Sequence, residues 1–310
     1  MSEMLSRRNM LSLLAAGSAS LFARDALSDE QKSFVPKYIL ASALYGTMDL
    51  NTILAEVSKI SAEHIDIWPK VHGNQREQIK EMGEDAFAAL LKKHAVKLGV
   101  STSYGLGPFG LKDELNFVKK FGGSAIVTGT PGGDVASDNI KAAMKSFLEK
   151  MKPHADAAGE SGLMIALENH AKALLNTPDS LRAFADLNRS PALGVAFAPH
   201  HLHPWVAEVP ALINDLGKAN LAFVYAQEHG KGFMEKLAKA DEMKQMPGFG
   251  GGLDYVPIFS ALKKIGYAGF IEIFMHPTSR GVPILPTAPE ITAAINTSRA
   301  YLEKCAQAAQ

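Results

Sequence analysis

Apolar residues in this chain come in two kinds of run. Short, branched, nearly continuous runs recur at Tyr38–Leu44, His64–Trp68, Leu98–Ser103, Ala125–Thr128, Leu163–Leu167, Leu193–Phe197, Leu221–Ala226 and Phe270–Phe274. Such runs predict strands buried on both faces, as in a parallel sheet. Between them lie stretches of helical spacing at Asp49–Ile60, Asp85–Lys97, Leu111–Phe121, Ser137–Gly159, Pro178–Leu187, Val209–Lys218, Tyr255–Ile265 and Pro289–Ala306. Asp49 is placed to cap the first helix, and Asn176-Thr177-Pro178-Asp179-Ser180 supplies a cap and a first-turn proline for another. A longer polar excursion, Pro69–Glu84, follows the second strand run.

Eight strands alternating with eight helices predict one α/β domain, a single (β/α)8 TIM barrel over residues 36–310. The alternative is a doubly wound open sheet. Its glycine fingerprint after the first strand is absent, since Tyr45-Gly46-Thr47 contains no G-x-G-x-x-G. Gly248-Phe249-Gly250-Gly251-Gly252 precedes a helix far from the first strand and reads as a mobile flap or substrate-covering turn.

A barrel fills its interior with packed side chains and keeps its chemistry in the loops after each strand. The fifth strand run is the most informative, because Leu163–Leu167 stops abruptly at Glu168-Asn169-His170. The other ends offer Ser42 and Tyr45; Asp66, Trp68, Lys70 and His72; Ser101, Ser103 and Tyr104; Thr128 and Thr130. The later ones offer Pro199-His200-His201-Leu202-His203-Pro204-Trp205, Tyr225-Ala226-Gln227-Glu228-His229, and Glu272 with His276. Of the 10 histidines, His170, His200, His201, His203, His229 and His276 directly follow strand runs, a concentration on one rim that chance does not explain. Imidazole and carboxylate are the usual ligands of zinc and manganese, so a divalent metal or an acid/base cluster around a polar ligand is expected. His94 and His154 fall on helices and receive no role, while Trp68 and Trp205 are of a size to stack on a sugar face.

Composition narrows the partners. Lysine plus arginine (32) equals aspartate plus glutamate (32), and no basic stripe is present, so nucleic acid is a poor partner. Cys305 is the single cysteine, which excludes an intrachain disulfide. Ser6-Arg7-Arg8-Asn9-Met10-Leu11, followed by a modestly apolar run to Phe22, is similar to a twin-arginine export signal. Residues 1–35 are therefore expected to be signal peptide and linker, with Gly17-Ser18-Ala19 offering small residues for cleavage, and the mature protein is expected outside the cytoplasm, in the periplasm. The apolar run is too short to span a bilayer and no other segment approaches the needed length, so no stable membrane insertion is expected. A homo-oligomer stays open.

Four segments together resemble the sugar isomerase/epimerase superfamily, whose members share a xylose-isomerase-like barrel and include an apurinic endonuclease branch. They are Ala166-Leu167-Glu168-Asn169-His170, Pro199-His200-His201, Pro247-Gly248-Phe249-Gly250-Gly251-Gly252-Leu253-Asp254-Tyr255, and Gly266-Tyr267-Ala268-Gly269-Phe270-Ile271-Glu272-Ile273. The resemblance implies a metal held by a glutamate after the fifth strand, an aspartate after the sixth, a histidine near the seventh and a glutamate on the eighth. Glu168 matches the first. The sixth-strand pattern, Asp-x-x-His, reads Ala198-Pro199-His200-His201, so the histidine is present and the aspartate is not. Tyr225 or Gln227 stands at the seventh, and the eighth-strand position is Phe274, with Glu272 on the same parity one layer lower. A metal site (manganese, magnesium or zinc) would then be remade from Glu168, His201, Glu272 and a rim histidine, His276 or His229.

The resemblance also implies a carbohydrate substrate and a reaction by proton abstraction next to a carbonyl, as in an isomerase or epimerase. Glu168 is then the base or a metal ligand, His201 a substrate or metal contact, and Glu272 the second carboxylate. Asp66, Trp68, Lys70, Asn169, His170, His200, Gln227 and His229 are the expected substrate contacts. Two other readings remain open: a lyase or hydrolase of keto-glycosides using the same enolisation, and a barrel that binds carbohydrate without catalysis.

Overall fold

A computed structural model of the chain describes residues 34–133, 135–228 and 237–309. The twin-arginine segment and His229 lie outside the described residues. Eight parallel strands close into a barrel in sequence order. They are β1 (Lys37–Ala41), β2 (His64–Ile67), β3 (Lys97–Thr102), β4 (Ala125–Gly129), β5 (Met164–Glu168), β6 (Leu193–Phe197), β7 (Leu221–Ala226) and β8 (Phe270–Ile273). Closure comes from β1 against β8, with Lys37 opposite Phe270 and Ile39 opposite Glu272.

The helices are α1 (Leu50–Leu54), α2 (Gln75–Met82), α3 (Glu84–His94), α4 (Lys112–Lys120), α5 (Ile140–Glu160), α6 (Pro178–Leu187), α7 (Val209–Asn220), α8 (Tyr255–Lys264) and α9 (Ala288–Ala308). Their starts follow the sequence signals. The Asp49 carboxylate accepts from the Asn51 and Thr52 amides, and Thr177 and Thr287 each open a helix with a reciprocal capping box. Among the described residues no helix is long and apolar enough to cross a membrane.

Two expectations are corrected. The Pro69–Glu84 excursion contains helix α2, built from good helix formers around one fully buried apolar side chain, Ile79, so no apolar stripe announces it. The first predicted helix breaks after Leu54 and resumes as a 3-10 turn at Val57–Ile60.

Period two along the strands stacks the interior in layers. Deepest lie Ile39 and Phe270, packed so closely on Gly99 that a Cβ there would come within 2.6 Å of the Ile39 Cδ1 and push it aside. The next layer is polar: Thr102 donates to Asp66 at 2.6 Å, and Asp66 lies beside Glu272. Above it, Trp68 stacks on Phe274 at 4.8 Å and the Tyr104 and Tyr225 hydroxyls meet at 3.1 Å. That aromatic layer floors the mouth formed by the carboxyl ends of the strands.

Candidate metal and substrate site

Glu168 is the last residue of β5, set opposite Gly129 of β4 and Ala196 of β6 by the register. Beyond β6 the chain enters a 3-10 segment, Pro199–Glu208, where Pro199 and Pro204 disfavour a regular α-helix. That segment delivers His200 and His201. Its entry is locked by Asn169, whose amide donates to the Ala198 carbonyl at 2.9 Å while its oxygen accepts the Ala198 N–H at 2.7 Å. The side chain thus extends the β5–β6 ladder by one residue, beside the pair of imidazoles it fixes.

The result is a buried group in which donor atoms of Glu168, His200 and His201 all lie within 4.8 Å of one another. His201 Nε2 stands 3.7 Å from Glu168 Oε1. Burial, followed by the neighbouring imidazoles, holds His201 well below the usual histidine range. Burial also raises Glu168, against the opposing pull of His170, the Tyr104 hydroxyl and Arg280. Burial thus favours the neutral form of each group. Neutral imidazole is the ligating form, and two imidazoles with one carboxylate suit zinc or manganese. A divalent cation would also balance the buried carboxylate, so this donor set fits such an ion.

Beside the group is a cavity of about 350 Å³ lined by Trp68, His72, Tyr104, Thr130, Glu168, His170, Lys172, Tyr225, Phe274, His276 and Arg280, among others. A larger cavity of about 440 Å³ opens near Leu193, the first residue of β6, at the opposite end of the barrel. Its lining holds no imidazole, and barrels do their chemistry at the carboxyl ends of the strands, so the smaller cavity is the functional candidate.

Glu168, His201, His200, His170, Trp68 and His276 are therefore brought to one place. Of the four residues expected around a metal, only Glu168 and His201 meet; His200 is the third member, not Glu272 or His276. Glu272, expected as a second catalytic carboxylate, is fully buried one layer deeper and paired with Asp66, away from the cavity lining. Asp66 shares that position, likewise outside the cavity lining. Lys70 is exposed outside the cavity. Asn169 is spent on Ala198. Gln227 donates to Gln245, which in turn donates to the His276 carbonyl, so it braces the rim from behind. Trp205 lines a separate depression with Thr177 and Arg182. The glycine-rich run is tied down at its start, where Glu228 Oε1 accepts the Gly248 N–H at 2.8 Å.

His72, Tyr104 and Arg280, for which no role was expected, also line the cavity, as does Tyr225 of the seventh strand. His72, Tyr104 and Tyr225 stood at strand ends and were open to inspection. Arg280 lies in a loop after β8 with no pattern around it, and only folding brings it within 3.4 Å of His72.

The sequence matches the family described as xylose isomerase-like TIM barrel over residues 54–305. No curated protein sequence matches it. Among solved structures, the IOLI protein with a bound zinc atom superposes with a TM-score of 0.67 at 18% identity, covering 87% of this chain and 98% of that one. A D-psicose 3-epimerase gives 0.66 at 16% identity, covering 87% and 99%. The probable 3-DHS dehydratase AsbF from Bacillus anthracis gives 0.63 at 12%, covering 84% and 97%. At these identities the likeness is one of fold.

Proposed function

The chain belongs to the xylose isomerase-like TIM barrel family, and from that premise we propose that it modifies a carbohydrate by moving a proton at a carbon next to a carbonyl. One observation carries this reading: Glu168, His200 and His201 converge within 4.8 Å beside a cavity at the carboxyl ends of the strands. Those three residues would hold a divalent cation. When bound, the cation supplies Lewis-acid polarisation of the carbonyl oxygen.

The chain's own groups do the rest. Glu168 has two carboxylate oxygens, one to face the cation and one to take the proton. Burial strengthens it as a base, and the Tyr104 hydroxyl orients it by donating a hydrogen bond. Proton loss leaves an enediolate. Return of the proton to the opposite face of that carbon gives an epimer, and return to the neighbouring carbon gives an isomer. His170, with its ring 4.1 Å from that of His201, presents a second proton-carrying group on the same wall. Trp68 stacked on Phe274 supplies an apolar floor for a sugar ring and keeps water from the base. The same enediolate expels a substituent from the next carbon if one is present. A dehydratase among the structural neighbours keeps that outcome in view.

The test is solvent deuterium exchange into keto-sugars by the purified protein, alongside elemental analysis. We expect label at the carbon next to the carbonyl and a stoichiometric divalent metal. Glu168→Gln should lower the exchange rate by roughly 10²–10⁴-fold with the fold intact. Undiminished exchange in that variant would remove Glu168 from the mechanism. We also propose that residues 1–35 direct export by the twin-arginine route. Retention of an Arg7→Lys, Arg8→Lys double variant in the cytoplasm, against export of the parent, tests it.

A further inference from the structure

We propose that the cavity takes a carbohydrate bearing a carboxylate, and that Arg280 and Lys172 at its rim receive that group. The inference deepens the proposed function by naming the substrate class, and it stands on the charge of the lining. Arg280 and Lys172 are the arginine and lysine that line the cavity, and Glu168 is its one carboxylate. Glu168 belongs to the buried group with His200 and His201, where a bound divalent cation would balance its charge.

Among the described residues neither cation meets a carboxylate, and both side chains are exposed at the rim. Arg76, Arg182 and Arg299 each meet a carboxylate at 2.9–3.0 Å. Among the described residues Arg280 and Lys172 have no acidic side chain within ion-pair distance. Arg280 Nη1 instead approaches His72 Nε2 at 3.4 Å. Burial and then the guanidinium itself keep His72 neutral, so this contact leaves the arginine charge intact.

Lys172 is held where it is at a cost. Its backbone sits in the left-handed region at φ 62°, which a non-glycine residue adopts only when its surroundings impose it. Two loops impose it here: the Gly133 N–H donates to the Lys172 carbonyl at 3.0 Å, and the Leu174 N–H donates to the Pro131 carbonyl at 2.9 Å. The two loops thus hold the Lys172 backbone at the cavity wall, and its exposed side chain meets no carboxylate among the described residues.

The anion is a carboxylate rather than a phosphate ester. Barrels that bind phosphate commonly cradle it with backbone amides beyond the seventh and eighth strands. In this chain the glycine-rich loop after β7 gives its Gly248 amide to Glu228. The cationic groups that the described lining offers a substrate are a guanidinium, whose planar fork matches a carboxylate in two parallel hydrogen bonds, and an ammonium.

Isothermal titration of the full-length protein tests this with four probes. They are fructose, fructuronate and 2-ketogluconate (the carboxylate at opposite ends), and fructose 6-phosphate. At least one acid should bind roughly tenfold or more tightly than fructose, and high salt should erode that advantage. Arg280→Gln should abolish the advantage while leaving fructose binding unchanged, and Lys172→Gln should reduce it. Equal affinity for the acids and fructose, no binding of either acid, or a preference for the phosphate ester would each overturn the proposal. So would an Arg280→Gln variant that weakens fructose and the acids alike. Binding is read without turnover, so the two readings fail separately. A protein that holds the acids through Arg280 but exchanges no proton sinks only the enolisation chemistry, whereas proton exchange on neutral sugars alone sinks only the carboxylate site.

Discussion

Replacing Glu272 with glutamine asks whether the barrel stores a proton beneath its active mouth. Asp66 and Glu272 are both fully buried and close enough for each to shift the other's titration. Burial raises Asp66, and burial followed by the Asp66 charge raises Glu272 well above the usual glutamate range. The folded pair therefore keeps at least one proton across the range where the unfolded chain, with ordinary carboxyl values of 3.8 and 4.5, has released both. Because the folded pKa lies above the unfolded one, the pair's contribution is intact below about pH 4 and is lost as pH rises toward the folded value. Each retained proton costs about 1.4 kcal/mol of stability per pH unit, or about 4 kcal/mol between pH 5 and 8 as an upper limit. Glutamine keeps the shape, needs no proton and can donate to Asp66. The variant should thus gain roughly 2–4 kcal/mol on the parent between pH 5 and 8.

The assay is guanidinium unfolding at pH 5, 6.5 and 8, followed through the fluorescence of buried Trp68. His72, His201 and His276 have folded values pushed below the free histidine value, so their contribution is lost as pH falls, the opposite sense. It is common to both proteins and cancels in the difference. Stability curves for variant and parent that stay parallel across the range would show that the pair stores no proton.

Three further outcomes follow from named contacts. Asn169→Ala removes both bonds to Ala198 and should cost about 1–3 kcal/mol in unfolding free energy while weakening metal retention, since the segment bearing His200 and His201 is released. Gly251→Ala places a Cβ 2.1 Å from the Lys244 carbonyl oxygen and 2.5 Å from the Glu228 carboxylate, so it should lower the melting temperature by several degrees, read by calorimetry. His94→Gln touches only Asn51 on the helical exterior and should leave deuterium exchange unchanged and stability within about 0.5 kcal/mol.

How much of this was legible beforehand depends on the range of the forces involved. The strand runs and helix caps are local, so the barrel and the place of Glu168 at the end of β5 could be read directly. Helix α2 was not, because one anchoring Ile79 makes no stripe. Glu272 was misjudged because parity says which face a residue takes but not how deep it lies. The Gly248–Gly252 run looked like a flap because its partner, Glu228, lies 20 residues away and only the fold joins them.

By itself, then, the sequence determined the alternation of strand and helix, the caps that start the helices, and the rim on which acid and imidazole groups collect. Those features rest on neighbours within a few positions, where periodicity and turn chemistry act. Tertiary structure alone decided which rim groups meet. His200 joined the site because Asn169 pins Ala198 across two strands, and Glu272 left it because Asp66 sits opposite in the layer below. Arg280 and Lys172 came to one cavity from loops more than a hundred residues apart, a meeting fixed only by barrel closure, which no local pattern encodes.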